Sequence, residues 1–315
     1  MNLVVIGHLL KERIVFPDKK EIGPILGSPA AYGSVAAACL GMKTGLITRI
    51  GKDMPEKLVD ILRQAGVDTA GIRVGEKTTS NLLIYESQER KRLEFLQRAE
   101  DLVAGDVPES YLGAEMFLIA PINDEIDRSL VADLRRRNKA MSVELSGFGG
   151  ASTSKECRMS REERLGRLKE LAGQVKIIKG GEEDFKCLFG EGVDVEQKAR
   201  QFLGWGAEIC LVTLGSKGAL VAAQGDAARE GFPGCGGELR VERVAPFHVK
   251  AIDCTGAGDV WHAGFLHEYL KTKNLKRAAS FACALSSILI ERTGGVVCER
   301  FPSAAQVYER MKSIE

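Results

Sequence analysis

Short apolar runs alternate with longer segments of helical periodicity along most of this 315-residue chain. The apolar runs have the length of buried strands and lie at residues 3–6, 45–50, 116–120, 141–145, 175–178, 209–213 and 218–221. The helical segments lie at 35–40, 56–65, 124–138, 161–172, 195–205, 259–271, 275–291 and 303–314. Strands that alternate with helices predict an α/β fold with a mostly parallel sheet covered on both faces. Ligands of such sheets bind at the carboxyl ends of the strands.

Two regions break this alternation. Residues 9–22 mix charged and apolar side chains in the manner of exposed strands, and residues 72–97 contain two hairpin-like strands around a charged turn at 86–91. Together they predict a small β-sheet lid inserted into a single domain that spans 1–315. The small residues at 27–33 predict a turn before the helix at 35–40.

Composition excludes several classes of function. The 44 basic and 43 acidic residues give a net charge of +1, and aromatic residues make up 6% of the chain, which argues against a nucleic-acid partner. No apolar run approaches the roughly 18 residues of a membrane span, and the first residues lack the features of a signal peptide, so we expect a cytoplasmic protein with no membrane partner.

The cysteines and histidines give no metal signature. The eight cysteines are scattered and form no Cys-x-x-Cys pair, as expected of free thiols in a reducing compartment. The four histidines show no ligand spacing with them. His8 follows the first strand, and we interpret it as a hydrogen-bonded loop residue.

The segment from Asp253 to Asp259 carries the strongest chemical signal. It places Gly256, Ala257 and Gly258 directly before a helical pattern. Bare backbone N–H groups at a helix N-terminus bind anions, phosphate above all. The acid beside them, Asp259, is suited to take a proton from an attacking hydroxyl. The alternative is an ordinary helix capped by Asp259 after a flexible turn.

The same segment, Asp253-Cys-Thr-Gly-Ala-Gly-Asp259, continues into Ala263-Gly-Phe-Leu266 and closely resembles the C-terminal signature of the ribokinase-like (PfkB) carbohydrate kinases, with Cys254 in place of the commonest Thr. The resemblance implies a ribokinase-like three-layer sandwich with a small β-sheet lid. It also implies ATP-dependent phosphoryl transfer to a hydroxyl of a small sugar, a myo-inositol-like polyol or a nucleoside.

The resemblance assigns roles within that segment. Asp259 would be the base, and Gly256, Ala257 and Gly258 would form the anion hole. Mg²⁺ would bridge the phosphates of ATP. Asp253, with the backbone of Thr255, would hold a monovalent cation such as K⁺, as in some relatives.

Two further segments are nucleotide candidates, although the chain has no P-loop sequence. Thr213, Gly215 and Gly218 match the family's Thr-x-Gly-x-x-Gly segment, which lines the ATP site; a tight β-turn is the alternative. The helical residues 282–286 match the region that backs the purine, and plain helix packing would explain them equally.

A third nucleotide candidate follows the strand at 175–178. Lys179 ends that strand, where it could meet a phosphate or be a solvated strand end. Gly181 and Asp184 stand at the Asn and Glu positions of the family's Asn-x-x-Glu motif, so Asp184, or Glu183 beside it, would contact Mg²⁺ indirectly. Acids at a helix start are also ordinary partners of the helix dipole.

The acceptor side departs most from the family pattern. Ser28 replaces the second Gly of its first signature, and Glu12 stands in for an Asp after the first strand. Asn81, with Thr79, is a further acceptor candidate on a predicted lid strand. These departures resemble archaeal-type members that act on inositol or nucleosides.

Two other polar residues near strand ends are weaker candidates. Glu144 resembles the acid of an Asp-x-Gln-Gly-Phe segment near the acceptor; a solvated carboxylate is the alternative. Asp53 is interpreted as a helix-start cap.

Other functions remain open on this scaffold. A non-catalytic protein that binds a sugar or a nucleotide is one, and an ADP- or pyrophosphate-dependent kinase is another. The sequence does not name the acceptor. Exposed lid strands favour a homodimer formed through the lid, because sheet edges seek partners.

Overall fold

The computed structural model describes residues 1–85, 91–153 and 159–312. Most of the predicted charged turn at 86–91, and Cys157, lie outside the described residues. Thirteen strands lie within the described part of the chain: β1 Leu3–Ile6, β2 Leu10–Val15, β3 Glu21–Gly27, β4 Thr44–Gly51, β5 Asp68–Gly75, β6 Ser80–Tyr85, β7 Lys91–Gln97, β8 Met116–Ile119, β9 Met141–Glu144, β10 Ile177–Gly181, β11 Ile209–Thr213, β12 Ala219–Ala223 and β13 Arg240–Val244. Ten α-helices lie in the same ranges: α1 Pro29–Cys39, α2 Glu56–Gln64, α3 Arg128–Arg136, α4 Arg161–Ala172, α5 Glu182–Phe189, α6 Val195–Gly204, α7 Gly225–Gly231, α8 Ala257–Thr272, α9 Leu275–Ile290 and α10 Ala304–Lys312.

The large sheet has the order β13-β12-β11-β10-β9-β8-β1-β4-β5 in the described residues. Its strands from β11 through β5 run parallel, and β12 is antiparallel to both of its neighbours. Successive side chains of a strand point to opposite faces. Leu3 and Val5 therefore join one hydrophobic core with α1, α2 and α8–α10, whereas Val4 and Ile6 join a second core with α3–α6. This three-layer arrangement confirms the predicted α/β class.

A second sheet has the order β3-β2-β6-β7 and is the small β-sheet expected from the sequence. Its boundaries differ from the predicted ones. Residues 68–75 form β5 at the edge of the large sheet, so the second segment of the small sheet begins only at Ser80. The first segment extends through β3 to Gly27.

The turn predicted at 27–33 is instead the start of α1. Ser28 is the N-cap, its Oγ accepts the N–H of Ala31 at 3.1 Å, and Pro29 occupies the first helical position. Both are helix-start signals. The small residues of α1 allow the whole first part of the helix to be buried.

Buried polar contacts join the small sheet to the large one. His8 Nε2 donates to the Glu100 carbonyl at 2.9 Å, and the Thr79 hydroxyl lies 2.8 Å from His8 Nδ1, which confirms His8 as a hydrogen-bonded residue. Burial lowers the pKa of His8. Thr79 also accepts the N–H of Ala99 at 2.9 Å, so its hydroxyl is engaged at this junction.

Asp53 belongs to the same junction, and its interpretation as a helix cap was wrong. The N-cap of α2 is Pro55, and the Asp53 carboxylate instead binds Lys11, the N–H of Thr78 at 2.8 Å and Gln97 Nε2 at 2.6 Å. Burial alone would raise the pKa of Asp53, but the hydrogen bonds from Lys11 and Thr78 lower it to about 2.

The structure bears on two further expectations. Seven cysteines within the described residues are free, in keeping with scattered thiols. Within 1–85, 91–153 and 159–312, no helix combines the length and the apolar character that a bilayer crossing requires.

Candidate active site

The N-terminus of α8 begins at a glycine that no other residue can replace without strain. Gly256 has φ of +75°, the left-handed region that favours glycine. A Cβ at this position would lie 2.3 Å from Cδ1 of Tyr32, whose ring packs beneath the turn. Both the backbone conformation and the close approach of Tyr32 therefore require glycine.

This turn leaves backbone N–H groups open. Ala257 donates its N–H to the Cys254 carbonyl at 3.2 Å, so this amide is already engaged within the turn. The N–H groups of Gly256 and Gly258 have no hydrogen-bond partner among the described residues. Two of the three predicted anion-hole amides are thus free to bind an anion at the positive end of the helix dipole.

An ammonium group lies close to Gly258. A Cβ placed on Gly258 would be 3.2 Å from Nζ of Lys179. Lys179 is buried, with a side chain only 4% exposed, so it is not a solvated strand end. Its Nζ lies 2.8 Å from Oε2 of Glu144, which is 2% exposed. The pair forms because the two residues are register partners on the parallel strands β9 and β10.

A buried polar chain extends from this ion pair. Nδ1 of His262, in the first turns of α8, lies 3.2 Å from Glu144 Oε2, and its Nε2 lies 2.6 Å from the Ser142 hydroxyl. Burial lowers the pKa of His262 although Glu144 opposes it, which favours the neutral ring. Nδ1–H then donates to Glu144, and Nε2 accepts from Ser142. Burial would raise the pKa of Glu144, but Lys179 and His262 hold it below its usual range.

Asp259 lies one helical turn before His262 and is half-buried. Its burial, together with the negative charges of Glu144 and Asp184, raises the pKa of Asp259 to about 7, although Lys179 opposes the shift. The sequence suggested a weak base, because the helix dipole favours an ionised carboxylate. Burial and two nearby carboxylates outweigh that effect, and a carboxylate with a pKa near neutrality is suited to accept a proton.

The two acids at the start of α5 point in different directions. Asp184 is buried, and its oxygens accept the N–H groups of Ala151 at 2.8 Å and Gly181 at 2.7 Å. Burial and the nearby Glu144 raise the pKa of Asp184. Glu183 is exposed to solvent. Only Asp184 therefore belongs to the group formed by Lys179, Glu144 and Asp259.

A cleft of about 320 Å³ opens beside the free amides. It brings together the predicted nucleotide residues on the loops after β11 and at the start of α8, and the wall of α9: Thr213, Gly215, Gly218, Cys254, Ala257, Gly258, Cys283 and Ser286. We call the four apolar residues of its lining, Phe247, Val249, Trp261 and Ile290, the apolar end of the cleft. The free amides beside the cleft are suited to an anion, and these apolar side chains are suited to a flat apolar group.

The small sheet contributes a second group of polar side chains. Asn81 Nδ2 donates to Oε2 of Glu12 at 2.8 Å across the parallel strands β2 and β6. The other end of the amide, Oδ1 of Asn81, is buried and has no hydrogen-bond partner among the described residues. A buried acceptor left unpaired costs free energy, so a ligand that donates a hydrogen bond to it would be stabilised. Ser28 uses its hydroxyl as the cap of α1.

Asp253 has partners that the sequence did not suggest. Its Oδ1 accepts the N–H of Thr255 at 2.9 Å, and its carbonyl accepts NH2 of Arg300 at 2.7 Å.

Sequence reasoning missed Arg300, Tyr32, His262 and Ser142. The sequence contained a signal for His262, because it lies three residues after Asp259 and residues three apart are neighbours on the surface of a helix.

The comparisons with known proteins agree with this geometry. Residues 30–301 match the model of the pfkB family carbohydrate kinases. The chain is 28% identical over 296 residues to a cytidine kinase of Thermococcus kodakarensis, covering 93% of this chain and 98% of the relative. It is 27% identical over 277 residues to a ribokinase of Haemophilus influenzae, covering 85% and 82%.

Two solved structures illustrate the fold. A fructokinase with bound ATP from Xylella fastidiosa has a TM-score of 0.79 at 18% identity, covering 99% of this chain and 98% of that one. A pyrophosphate-dependent kinase in the ribokinase family, complexed with a pyrophosphate analog and myo-inositol, has a TM-score of 0.71 at 21% identity, covering 95% and 98%. The predicted ribokinase-like fold is confirmed.

Proposed function

The chain belongs to the PfkB family of carbohydrate kinases, and from that premise we propose that it transfers the γ-phosphoryl group of ATP to a hydroxyl of a nucleoside. A small sugar or a myo-inositol-like polyol is the second candidate acceptor. The observation that carries the proposal is the convergence of two free amides and a buried ammonium beside a carboxylate whose pKa is raised to about 7. The similarity to a cytidine kinase over 93% of the chain supports the nucleoside.

Asp259 is the proposed base. The acceptor hydroxyl attacks the γ-phosphorus, its proton passes to the Asp259 carboxylate, and ADP leaves. Because phosphoryl transfer has a loose transition state, little proton removal is needed early, and positioning and charge stabilisation carry most of the catalysis. A purely ligand-binding protein would gain nothing from a carboxylate beside a phosphate site.

The amides of Gly256 and Gly258 and the ammonium of Lys179 would stabilise the charge that develops on the transferring group. Preorganised donors of this kind contribute about 3 kcal/mol each in comparable sites. Ala257 is a weaker member of the predicted anion hole, because its N–H is bonded to the Cys254 carbonyl. Thr213, Gly215 and Gly218 would line the nucleotide, and the apolar end of the cleft would receive the adenine.

Mg²⁺ fits this site only as a companion of the nucleotide. The described residues hold no cluster of three or more His, Cys, Asp or Glu side chains that could enclose a metal. Mg²⁺ prefers to keep waters and to be held by substrate phosphates and one or two carboxylates. Asp184 is the carboxylate that would hold it through water, and the ion would neutralise charge on the phosphates. Glu183 is a weaker candidate because it is exposed.

Glu12 and Asn81 are the proposed acceptor ligands. Both present oxygen atoms, and the unpaired Oδ1 of Asn81 needs a hydrogen-bond donor. Hydroxyl groups of a ribose or a polyol would supply it. Ser28 is a weaker candidate, since its Oγ already accepts the N–H of Ala31.

We also propose that the small sheet closes over the acceptor as a lid and pairs with a second copy of the chain. Ile22, Leu93 and Leu96 on its strands are 38%, 38% and 48% exposed, so the small sheet presents three large apolar side chains to solvent. A molar mass by light scattering near that of a monomer at micromolar concentration would argue against this dimer.

The test of the proposed function is a phosphorylation screen with ATP and Mg²⁺. The acceptors are cytidine and the other nucleosides, ribose, fructose phosphates and myo-inositol, with the wild type and Asp259→Asn compared. We expect turnover with at least one nucleoside and a loss of about 10² to 10⁴-fold in kcat for Asp259→Asn, with nucleotide binding retained. Turnover with a sugar or inositol alone would move the acceptor to the second candidate.

Two results would overturn the proposal. Absence of turnover with every acceptor, despite binding of ATP, would favour a non-catalytic binding protein. Retention of more than about a tenth of the wild-type rate by Asp259→Asn would remove Asp259 from its role as base.

A further inference from the structure

A fully buried arginine lies behind the segment that forms the anion hole. The side chain of Arg300 is 0% exposed. Its NH2 donates to the carbonyl oxygen of Asp253 at 2.7 Å and lies 3.4 Å from Oδ2 of the same residue. Nε and NH1 of the guanidinium have no hydrogen-bond partner among the described residues. The side chain therefore acts through its charge and through one nitrogen, and both are directed at Asp253.

The contact of Arg300 with Asp253 matters because Asp253 fixes the start of the segment that forms the anion hole. Its N–H, with that of Ile252, donates to the Ile290 carbonyl at 3.1 and 2.7 Å, and its Oδ1 accepts the N–H of Thr255. Phe301, the next residue after Arg300, packs against Tyr32 with ring centroids 6.2 Å apart. Tyr32 in turn lies against Gly256. Arg300 and Phe301 thus support the segment 253–256 at both of its ends.

Asp253 does not fit the monovalent cation that the sequence suggested for it. Such a site needs carbonyl and carboxylate oxygens turned toward a common point. Here the Asp253 carbonyl and Oδ2 both face the guanidinium, and Oδ1 is used by Thr255. A fixed positive charge of the chain itself is therefore within bonding distance of the oxygens that a K⁺ ion would require.

We propose that Arg300 is a built-in cation that positions the anion-hole segment, so that this kinase works without a bound monovalent cation. The inference rests on the proposed function of that segment. Arg300 is a positioning residue: it contacts neither nucleotide nor acceptor, and it acts by holding the Asp253 carbonyl so that the free amides of Gly256 and Gly258 keep their direction. A guanidinium suits this task because its charge persists at every physiological pH.

The first test uses the wild type alone. Its rate with a productive acceptor, and its affinity for ATP by calorimetry, are measured at constant ionic strength in KCl, NaCl and tetramethylammonium chloride. We expect both quantities to agree within about twofold in the three salts, since a cation held by the chain needs no replacement. An increase of about tenfold or more in KCl alone would overturn the proposal.

The second test removes the charge. Arg300→Met should lower kcat by about 10²-fold, as for the loss of one transition-state donor, with a smaller change in KM for the acceptor. Added guanidinium or K⁺ should restore part of the rate, and Arg300→Lys should keep more of it than Arg300→Met. Arg292→Met is the matched control, because within the described residues the Arg292 side chain donates to the backbone carbonyls of Glu299 and Arg300, at 3.3 Å each, and to no atom of Asp253.

The outcomes separate the inference from the function on which it rests. If no acceptor is phosphorylated, the proposed function fails, and the salt dependence of ATP binding still tests Arg300. If Arg300→Met folds and retains the wild-type rate, Arg300 is only structural and the proposal is wrong. If Arg300→Met does not fold, the three-salt comparison on the wild type decides alone.

Discussion

The proton affinity of Asp259 is set by its neighbours more than by its helix. At the N-terminus of α8 the dipole favours the ionised form. Burial and the charges of Glu144 and Asp184 favour the protonated form, and they raise the pKa of Asp259 to about 7. Lys179 limits this rise because its ammonium faces both Glu144 and Asp259. The pKa of the proposed base is therefore set by three charged neighbours, Glu144, Asp184 and Lys179.

This electrostatic coupling predicts the effect of Glu144→Gln on the pH dependence. An essential base must be ionised, so kcat/KM should fall as pH decreases below about 7, the pKa of Asp259. Removing the charge of Glu144 removes one of the causes that raise this pKa. It also leaves less negative charge beside the ammonium of Lys179. Both changes lower the pKa of Asp259, so the acid limb of the kcat/KM profile should move to lower pH.

Glu182→Gln is the control for that measurement. Glu182 contacts Lys217 at 3.5 Å on the outer side of α5 and is not among the charges that act on Asp259. Its profile should coincide with that of the wild type. An acid limb that stays in place in Glu144→Gln would mean that another group controls it.

At the scale of elements, local sequence signals predicted most helices and central strands, but they did not predict which strands pair. α4 was predicted at 161–172 and is found there, because Ser160 and Glu163 form a capping box that the sequence displays. β5 and β13 were missed, since edge strands are polar and irregular. Asp53 was misassigned because its partners come from two distant segments, Lys11 and Gln97.

The contact between Lys179 and Glu144 is another feature that local sequence signals did not predict. Each was a candidate at a strand end, yet their ion pair depends on the register of β9 against β10. No local pattern in parallel strands specifies that register. The donor side of the site could be predicted because one continuous segment, 253–259, forms most of it, whereas the acceptor side is assembled from β2 and β6.

The turn before α8 permits a prediction that separates backbone strain from packing. Gly256→Ala must place a Cβ where the Tyr32 ring now lies, 2.3 Å away, and must hold an alanine at φ of +75°. The strain alone costs roughly 1–3 kcal/mol. We expect the turn to shift, the free amides to lose their direction and kcat to fall by about 10²-fold, the loss typical of one anion-hole donor.

Gly66→Ala provides the matched control for Gly256→Ala. Gly66 has φ of +86°, and nothing lies within 4 Å of a Cβ at this position. It should show a decrease in Tm from backbone strain alone, with an unchanged kcat. Equal activity of the two variants at saturating substrate would show that the geometry of the turn does not contribute to catalysis.

At the scale of the whole molecule, the proposed donor and acceptor sites lie in different parts of the fold. The large sheet and α8–α9 form the cleft proposed for the nucleotide, and the small sheet carries the proposed acceptor ligands Glu12 and Asn81. The two groups are both near Tyr32, since the charges of Glu12 on the small sheet and of Asp253 and Asp259 in the segment 253–259 all act on this residue. Closing the small sheet would therefore bring an acceptor to the base while excluding water, which competes as an acceptor.

The shape of the cleft predicts the phosphoryl donor. Pyrophosphate needs only the amides and Lys179, whereas the cleft of about 320 Å³ is also lined by the apolar residues Phe247, Val249, Trp261 and Ile290. Burying an adenine there would add apolar contact that pyrophosphate cannot make. We therefore expect kcat/KM for ATP to exceed that for pyrophosphate by about 10²-fold, or about 2.7 kcal/mol, in a coupled assay with one acceptor.

Narrowing the apolar end tests this reasoning directly. Ala251→Trp introduces a large ring at an exposed position of the cleft wall. KM for ATP should rise by about tenfold, equivalent to about 1.4 kcal/mol, while any residual activity with pyrophosphate stays unchanged, because the anion hole is untouched. A wild type that prefers pyrophosphate, or an Ala251→Trp variant with unaltered KM for ATP, would mean that the apolar end does not bind the donor. The anion hole alone would then select the phosphoryl donor.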